Sequence, residues 1–212
     1  MALQSWSGLE VLVSLLPKDY ESSWTLKKSI FRSGVGLHSG DSAEVHLLPS
    51  DKAGFHVSWI ESGDAHITLN VGQVRGSALC TSLEIGEHCL STVEHLLAAL
   101  AGSGLTHVHI KVSGEEIPLL DGSALGWVEA ILEAGLVSAS TPRIPLPVVQ
   151  KPLVLNRGGS VITATPADNF KIVGVIDFPY QAIGQQMFQI ELTPERFVKE
   201  IAPARTFGFR DQ

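Results

Sequence analysis

The chain has 212 residues, 44% of them hydrophobic, and 22 acidic against 15 basic side chains give it a net charge of -7. That is enough for one large domain or two small ones, and the acidic balance excludes a general nucleic-acid surface, which needs positive charge. No apolar run reaches the ~20 residues that cross a bilayer as a helix, and two cysteines, Cys80 and Cys89, are too few for a disulfide scaffold and fit a reducing compartment.

Residues 1–23 are weakly specified. Leu9 to Pro17 is apolar but lacks a basic leader and a small-residue cleavage site. The segment reads either as an extension or as a short helix packed on the domain. From Trp24 the chain is strand-rich: Glu44–Leu48, Phe55–Trp59 and His66–Asn70 alternate or cluster apolar residues between Gly, Ser, Asp and Pro. Leu79–Glu84 is a further short strand. A helix follows, with Ser91 as N-cap and Glu94 three positions on, the spacing of a capping box. Val93, Leu96, Leu97 and Leu100 form its apolar face, and Gly102 or Gly104 ends it. His107–Val112 is the next strand. The loop Ile117–Ser123, with Asp121 as its turn residue, leads into a second helix that buries Trp127, Val128, Ile131 and Leu132 and stops at Gly135. Helices grouped together, rather than alternating with each strand, predict an α+β fold.

The first unit thus covers residues 24–137. Ser138 to Pro147, with three prolines, has linker composition. Strands resume at Lys151–Leu155, Ser160–Thr165, Lys171–Phe178 and Gln185–Leu192, and Thr193-Pro194 opens a helix that carries Phe197, Val198 and Ile201. This second unit, 148–212, has no second helix, so part of its sheet is expected to lie uncovered.

Several residues have both a chemical and a plain structural reading. His95 is a metal-ligand candidate or an ordinary helical histidine. Glu94 is a general-base candidate or the capping-box carboxylate. Adjacent helical residues diverge by about 100°, so His95 can face a metal while Glu94 faces a water. Zinc would lower the pKa of that water, and the carboxylate could take its proton. No HExxH, CxxC or HxxxD spacing is present, and His107 and His109 read as strand residues. The glycine-rich string Ser33–Gly40 is a hairpin loop or a phosphate cradle. In Ala204–Phe209, Thr206 is an oxyanion donor and the phenylalanines a surface for a sugar or acyl chain, or the segment is a C-terminal turn with buried aromatics.

Taken together, the stretches Ser33-Gly-Val-Gly-Leu-His-Ser-Gly40, Leu79-Cys-Thr81, Ser91-Thr-Val-Glu-His-Leu-Leu-Ala-Ala-Leu-Ala101, Ile117-Pro-Leu-Leu-Asp-Gly-Ser-Ala124, Ile176-Asp-Phe178 and Ala204-Arg-Thr-Phe-Gly-Phe209 resemble, in order, the UDP-3-O-acyl-N-acetylglucosamine deacetylase (LpxC) family of lipid A biosynthesis. The resemblance implies two similar α+β domains, each a sheet layered on two helices like ribosomal protein S5 domain 2. It implies cytoplasmic, zinc-dependent removal of the N-acetyl group from a UDP-linked acylated glucosamine. His95 would match a zinc ligand, Glu94 the general base and Thr206 the oxyanion donor. Phe207, Asp177, Phe178, Leu37 and Cys80 would match substrate-contacting positions.

Family members continue past the position of Gln212, the last residue of this sequence. Their helix bearing His and Asp four residues apart, a later His, and the loop region shaping the acyl passage have no counterpart here. The two further zinc ligands are thus expected beyond Gln212. The second domain is expected to be incomplete and the isolated chain inactive. The alternatives are one half of a split enzyme completed by a C-terminal polypeptide, or a non-catalytic module that binds a nucleotide sugar or a partner.

Overall fold

The computed structural model describes residues 13–61, 66–76 and 79–208. Residues 1–12 and the end of the chain from Phe209 to Gln212, which the sequence reading included, lie outside them. The second unit, expected to run to Gln212, is therefore described only as far as residue 208.

The fold is α+β. The large sheet is built on β9 (His107–Val112). On one side β4 (Gly54–Trp59) runs parallel to it, with Phe55 opposite Val108 and Val57 opposite Ile110. On the other side β3 (Ser42–Pro49) runs antiparallel, with Leu47 opposite Ile110. β2 (Ile30–Val35) extends the sheet beyond β3, β5 (Ile67–Thr68) lies beyond β4, and β1 (Trp24–Leu26) meets β9 at His107 and pairs with β10 (Leu136–Ser138). A separate three-stranded sheet holds β6 (Val74–Arg75), β7 (Ser82–Ile85) and β8 (His88–Leu90).

Two helices lie against the large sheet. In α1 (Glu94–Gly102) Leu96, Ala99 and Leu100 are buried. In α2 (Leu125–Ala134) Trp127, Val128 and Ile131 are buried, and Gly135, at φ 70°, ends the helix in a backbone region that costs glycine little. These residues share one core with Val45, Leu47, Val57, Val108, Ile110 and Val112 of the sheet. Alternation along β9 and β4 turns His107, His109, His56 and Ser58 to the opposite face, where all four are also buried. Their polar atoms are satisfied there. Ser58 Oγ lies 2.8 Å from His109 Nε2, and His107 bonds Thr106 and Thr141.

Several boundaries differ from the sequence reading, such as Leu79–Glu84, where the strand is Ser82–Ile85, and two of the differences have a plain local cause. β5 is only two residues long because Asn70 leaves the strand to cap a 3-10 turn at Val71–Gln73, accepting from the Gly72 amide. The helix of the Ser-Thr-Val-Glu motif starts at Glu94, not after Ser91, and its N-cap is Val93, with no side-chain capping bond. Ser91 is drawn into a parallel bridge with Glu116, which places it two residues too early to cap. The capping box is therefore absent, and Glu94 is released from that role.

Residues 13–23 include a packed part. Val13 and Leu16 are 4% exposed within the core, and the Tyr20 hydroxyl donates to the Gly102 carbonyl at 3.0 Å. After β10, Ala139 and Arg143 donate backbone bonds to Ser23, and Thr141 donates to the Asp51 carbonyl.

Beyond Pro147 the chain forms two hairpins. β11 (Leu153–Arg157) pairs with β12 (Ser160–Ala164), and β13 (Lys171–Asp177) pairs with β14 (Gln185–Glu191). Almost every residue in them is exposed. The short α3 (Pro194–Arg196), capped by Thr193, continues into a π-helical turn at Phe197–Ile201. Phe197, Val198 and Ala202 enter the core beside α1. A Cβ on Gly102 would fall 2.4 Å from the Phe197 ring, so glycine is what lets the two segments meet.

Candidate functional site

The local chain path fixes the Glu94–His95 pair. Thr92 sits at φ 58°, a left-handed conformation uncommon for a non-glycine residue and unfavourable for a β-branched one. This turns the chain from the Ser91 bridge into the helix within two residues. Glu94 and His95, both half-buried, therefore occupy the first turn of α1. The Glu94 carboxylate accepts a hydrogen bond from the Thr81 amide at 3.0 Å, and the Val93 amide donates back to the Thr81 carbonyl. The Leu79-Cys-Thr motif and the helix start are thus stitched together, so Cys80 stands one residue from the point where Glu94 is held. Cys80 and Cys89 stand as thiols, not as a disulfide.

A groove of about 680 Å³ is lined by His38, Ser39, Leu79, Cys80, Ser91 and Glu116, among others; it reaches the Leu79-Cys80 segment beside the helix start, and neither Glu94 nor His95 lines it. One wall is the glycine-rich loop between β2 and β3. This is the hairpin of the two readings, and two of its amides are already taken by a carboxylate of the protein. His38 N and Ser39 N donate to the Glu116 carboxylate at 3.0 and 2.7 Å, and the Thr92 hydroxyl donates to it at 2.8 Å. Burial alone would raise the Glu116 pKa, but these donors, with the Ser39 hydroxyl, hold it down at about 2. Leu37, at the tip of the loop, is exposed.

A second group lies on the loop that opens α2. Asp121 Oδ1 accepts from the amide and hydroxyl of Ser123, as a turn aspartate does. Against this loop the Thr206 amide donates to the Gly122 carbonyl at 2.8 Å, and the Arg205 guanidinium donates to the Asp121 carbonyl at 2.6 Å. The Phe207 ring meets Phe178 edge-on, with centroids 5.9 Å apart. Asp177, the residue before Phe178, closes β13 opposite Gln185 and is exposed. The candidate residues therefore gather in two groups: Glu94, His95 and Cys80 at the start of α1, and Thr206, docked on the loop before α2, followed by Phe207 with its ring partner Phe178 and the neighbouring Asp177. Among the described residues no set of three His, Cys, Asp or Glu side chains could hold a metal ion. His95 is the one expected ligand that falls among them; the two expected beyond Gln212 do not.

Sequence reasoning passed over Glu116. The one available signal was the acidic pair Glu115-Glu116 before Ile117-Pro118, in a chain whose glycine-rich loop had no assigned anion.

Fold and site define a layered α+β protein that presents a carboxylate and an imidazole at one helix start beside an open groove. The comparisons with known proteins carry this further. The family model for LpxC, UDP-3-O-acyl N-acetylglycosamine deacetylase, matches residues 23–212, and the chain belongs to that family. A relative from Nostoc sp. is 43% identical over 194 residues, which cover 89% of this chain and 69% of the relative. Relatives from Trichormus variabilis and Oleidesulfovibrio alaskensis are 42% and 40% identical, covering 89% and 87% of this chain and 69% and 61% of their own. All three carry the name UDP-3-O-acyl-N-acetylglucosamine deacetylase. The chain spans 60–69% of the length of the curated relatives it matches.

Proposed function

We propose that these residues form the larger part of a cytoplasmic deacetylase that removes the N-acetyl group of UDP-3-O-acyl-N-acetylglucosamine in lipid A biosynthesis. The observation that carries this reading is the Glu94–His95 pair in the first turn of α1, with the Glu94 carboxylate fixed by the Thr81 amide and left without a capping duty. A carboxylate so placed can take the proton of an attacking water, the role of a general base. Thr206 donates to the oxyanion that forms on the acetyl carbonyl. Phe207 and Phe178 offer an apolar face to the sugar, with Asp177, Leu37 and Cys80 contributing further substrate contacts.

Zinc enters this proposal with His95 as one ligand. The described residues do not make a zinc site on their own, because a catalytic zinc takes three protein ligands and leaves one position open. The other two would come from outside them. The comparisons give no support to a separate complementing polypeptide. Under the same proposal residues 24–137 and 148–212 are two related units of the ribosomal protein S5 domain 2-like type joined by 138–147, the second of them partial. In the first, two helices cover one sheet face. Among the described residues no helix is long and apolar enough to cross a membrane.

The test is a chimera that continues this sequence after Gln212 with the remaining C-terminal part of the Nostoc relative. It is expected to release acetate from UDP-3-O-acyl-N-acetylglucosamine, and Glu94→Ala is expected to slow it by roughly 10²–10⁴-fold. A Glu94→Ala chimera as fast as its parent would remove Glu94 from the chemistry. A polypeptide of these 212 residues alone is expected to show no turnover and to hold less than one zinc per chain after dialysis, measured by plasma emission.

A further inference from the structure

Helix α1 begins without the usual local device. Its N-cap is Val93, whose side chain caps nothing, and the residue before that is the strained Thr92. A non-glycine residue in the left-handed region persists only where its surroundings over-determine it. Here the surroundings converge on one carboxylate. Glu116 is 7% exposed and, besides the Ser39 hydroxyl, accepts from three donors that belong to two different segments. Oε1 takes the His38 amide and the Thr92 hydroxyl, and Oε2 takes the Ser39 amide.

We propose that Glu116 is a positioning residue: its carboxylate ties the glycine-rich loop to Thr92 and so sets where Glu94 and His95 stand. The inference rests on the reading of Glu94 and His95 given above and adds a role that no similarity assigns. Three features support it beyond the bonds themselves. The loop is moulded to the carboxylate, since a Cβ on Gly36 would collide with Glu116 Oε2. The backbone on either side is locked as well, with Ser91 N donating to the Glu115 carbonyl at 2.8 Å and Ile117 N to the Ser91 carbonyl at 3.0 Å. All three partners are donors, so only an acceptor on both oxygens satisfies them; an amide would turn an N–H toward one of them. The same carboxylate lines the groove that Leu79 and Cys80 share. One group therefore fixes a wall of the groove and the helix start beside it.

Amide hydrogen exchange on the metal-free 212-residue chain tests this, because two bonds report the helix start directly. The Thr81 amide is held by the Glu94 carboxylate, and the Leu97 amide by the Val93 carbonyl. Glu116→Ala is expected to speed exchange at Ser39, Thr81 and Leu97 by roughly ten- to a hundred-fold, the range for losing charge-assisted bonds. The Ile110 amide in β9 should stay slow. Formate, which can fill the vacated site as a carboxylate, is expected to restore all three. Thr92→Val removes one donor only and is expected to affect Thr81 and Leu97 while Ser39 stays protected. That second variant decides the matter if Glu116→Ala fails to fold. The proposal is overturned if Thr81 and Leu97 exchange as in the parent chain in either variant, or if formate rescues the loop but not the helix start. No zinc or substrate is present, so this result stands or falls separately from the chimera's activity.

Discussion

Val45, Val57 and Val108 in the large sheet are each 0% exposed, whereas Val154, Val161 and Val175 in the two hairpins are 59–68% exposed. The residue type is the same, the strand propensity is the same, and the backbone pairing is equally regular, as the seven paired positions of β13 and β14 show. What differs is the second layer. Between Trp24 and Ser138, α1 and α2 cover one sheet face, and the segment after β10 bonds to the histidine-bearing other. Between Leu153 and Glu191 no described helix lies over the strands, and only Ile190 is buried. Propensity and alternation are enough to make a strand; burial requires a partner surface.

The largest expected effect sharpens this contrast by paired truncation. Trp127→Ala, in the closed core, is expected to lower stability by about 3–5 kcal/mol. Val175→Ala, on a hairpin, is expected to stay within about 0.5 kcal/mol. Urea titrations followed by circular dichroism compare the two, and a comparable loss at Val175 would mean that the hairpins are covered in solution. Acid comes next and should act on the first unit. Glu116 titrates at about 2 in the fold against an ordinary 4.5, so the unfolded chain binds its proton first. The stability this contributes is present above pH 4.5 and is lost as the pH falls toward 2, by about 3 kcal/mol in all. His56 and His107, whose values burial pushes below 6.5, add a loss that begins as the pH drops through 6.5. Replacing Glu116 with Gln should flatten the lower part of this profile. The smallest of the three effects lies at the seam. Gly102→Ala forces the Phe197 ring aside and is expected to cost about 1–3 kcal/mol. The further change Phe197→Leu should recover part of this, read as a shift in the urea midpoint.

Elements whose information is local were legible from the amino acids. β3, β4, β9 and α2 fall where alternation, the 3.6-residue period and Gly135 place them, because each has an apolar face and a clear stop. The failure at Ser91 has the opposite origin. Its spacing to Glu94 fits a capping box, but the backbone of Ser91 bridges Glu116, a partner 25 positions away that no local pattern registers. Glu116 was hidden for the same reason, its amide partners lying 78 and 77 positions upstream. In the site, Glu94 and His95 announced themselves by being adjacent on a helix. The approach of Phe207 to Phe178 and the docking of Thr206 on Gly122 come from the tertiary path. The Ala204–Phe209 motif stood out by its own residues, but only the resemblance to a known family drew attention to Phe178.

The middle strand of the large sheet arrives late. β3 and β4 both lean on β9, yet more than forty residues separate the end of β4 from the start of β9. During synthesis two neighbouring ribbons therefore wait with bare edges until His107–Val112 leaves the ribosome and slots between them. Such non-local closure slows folding and exposes strand edges that invite wrong partners. A nascent chain stalled before residue 107 would offer a chaperone two open edges and no centre.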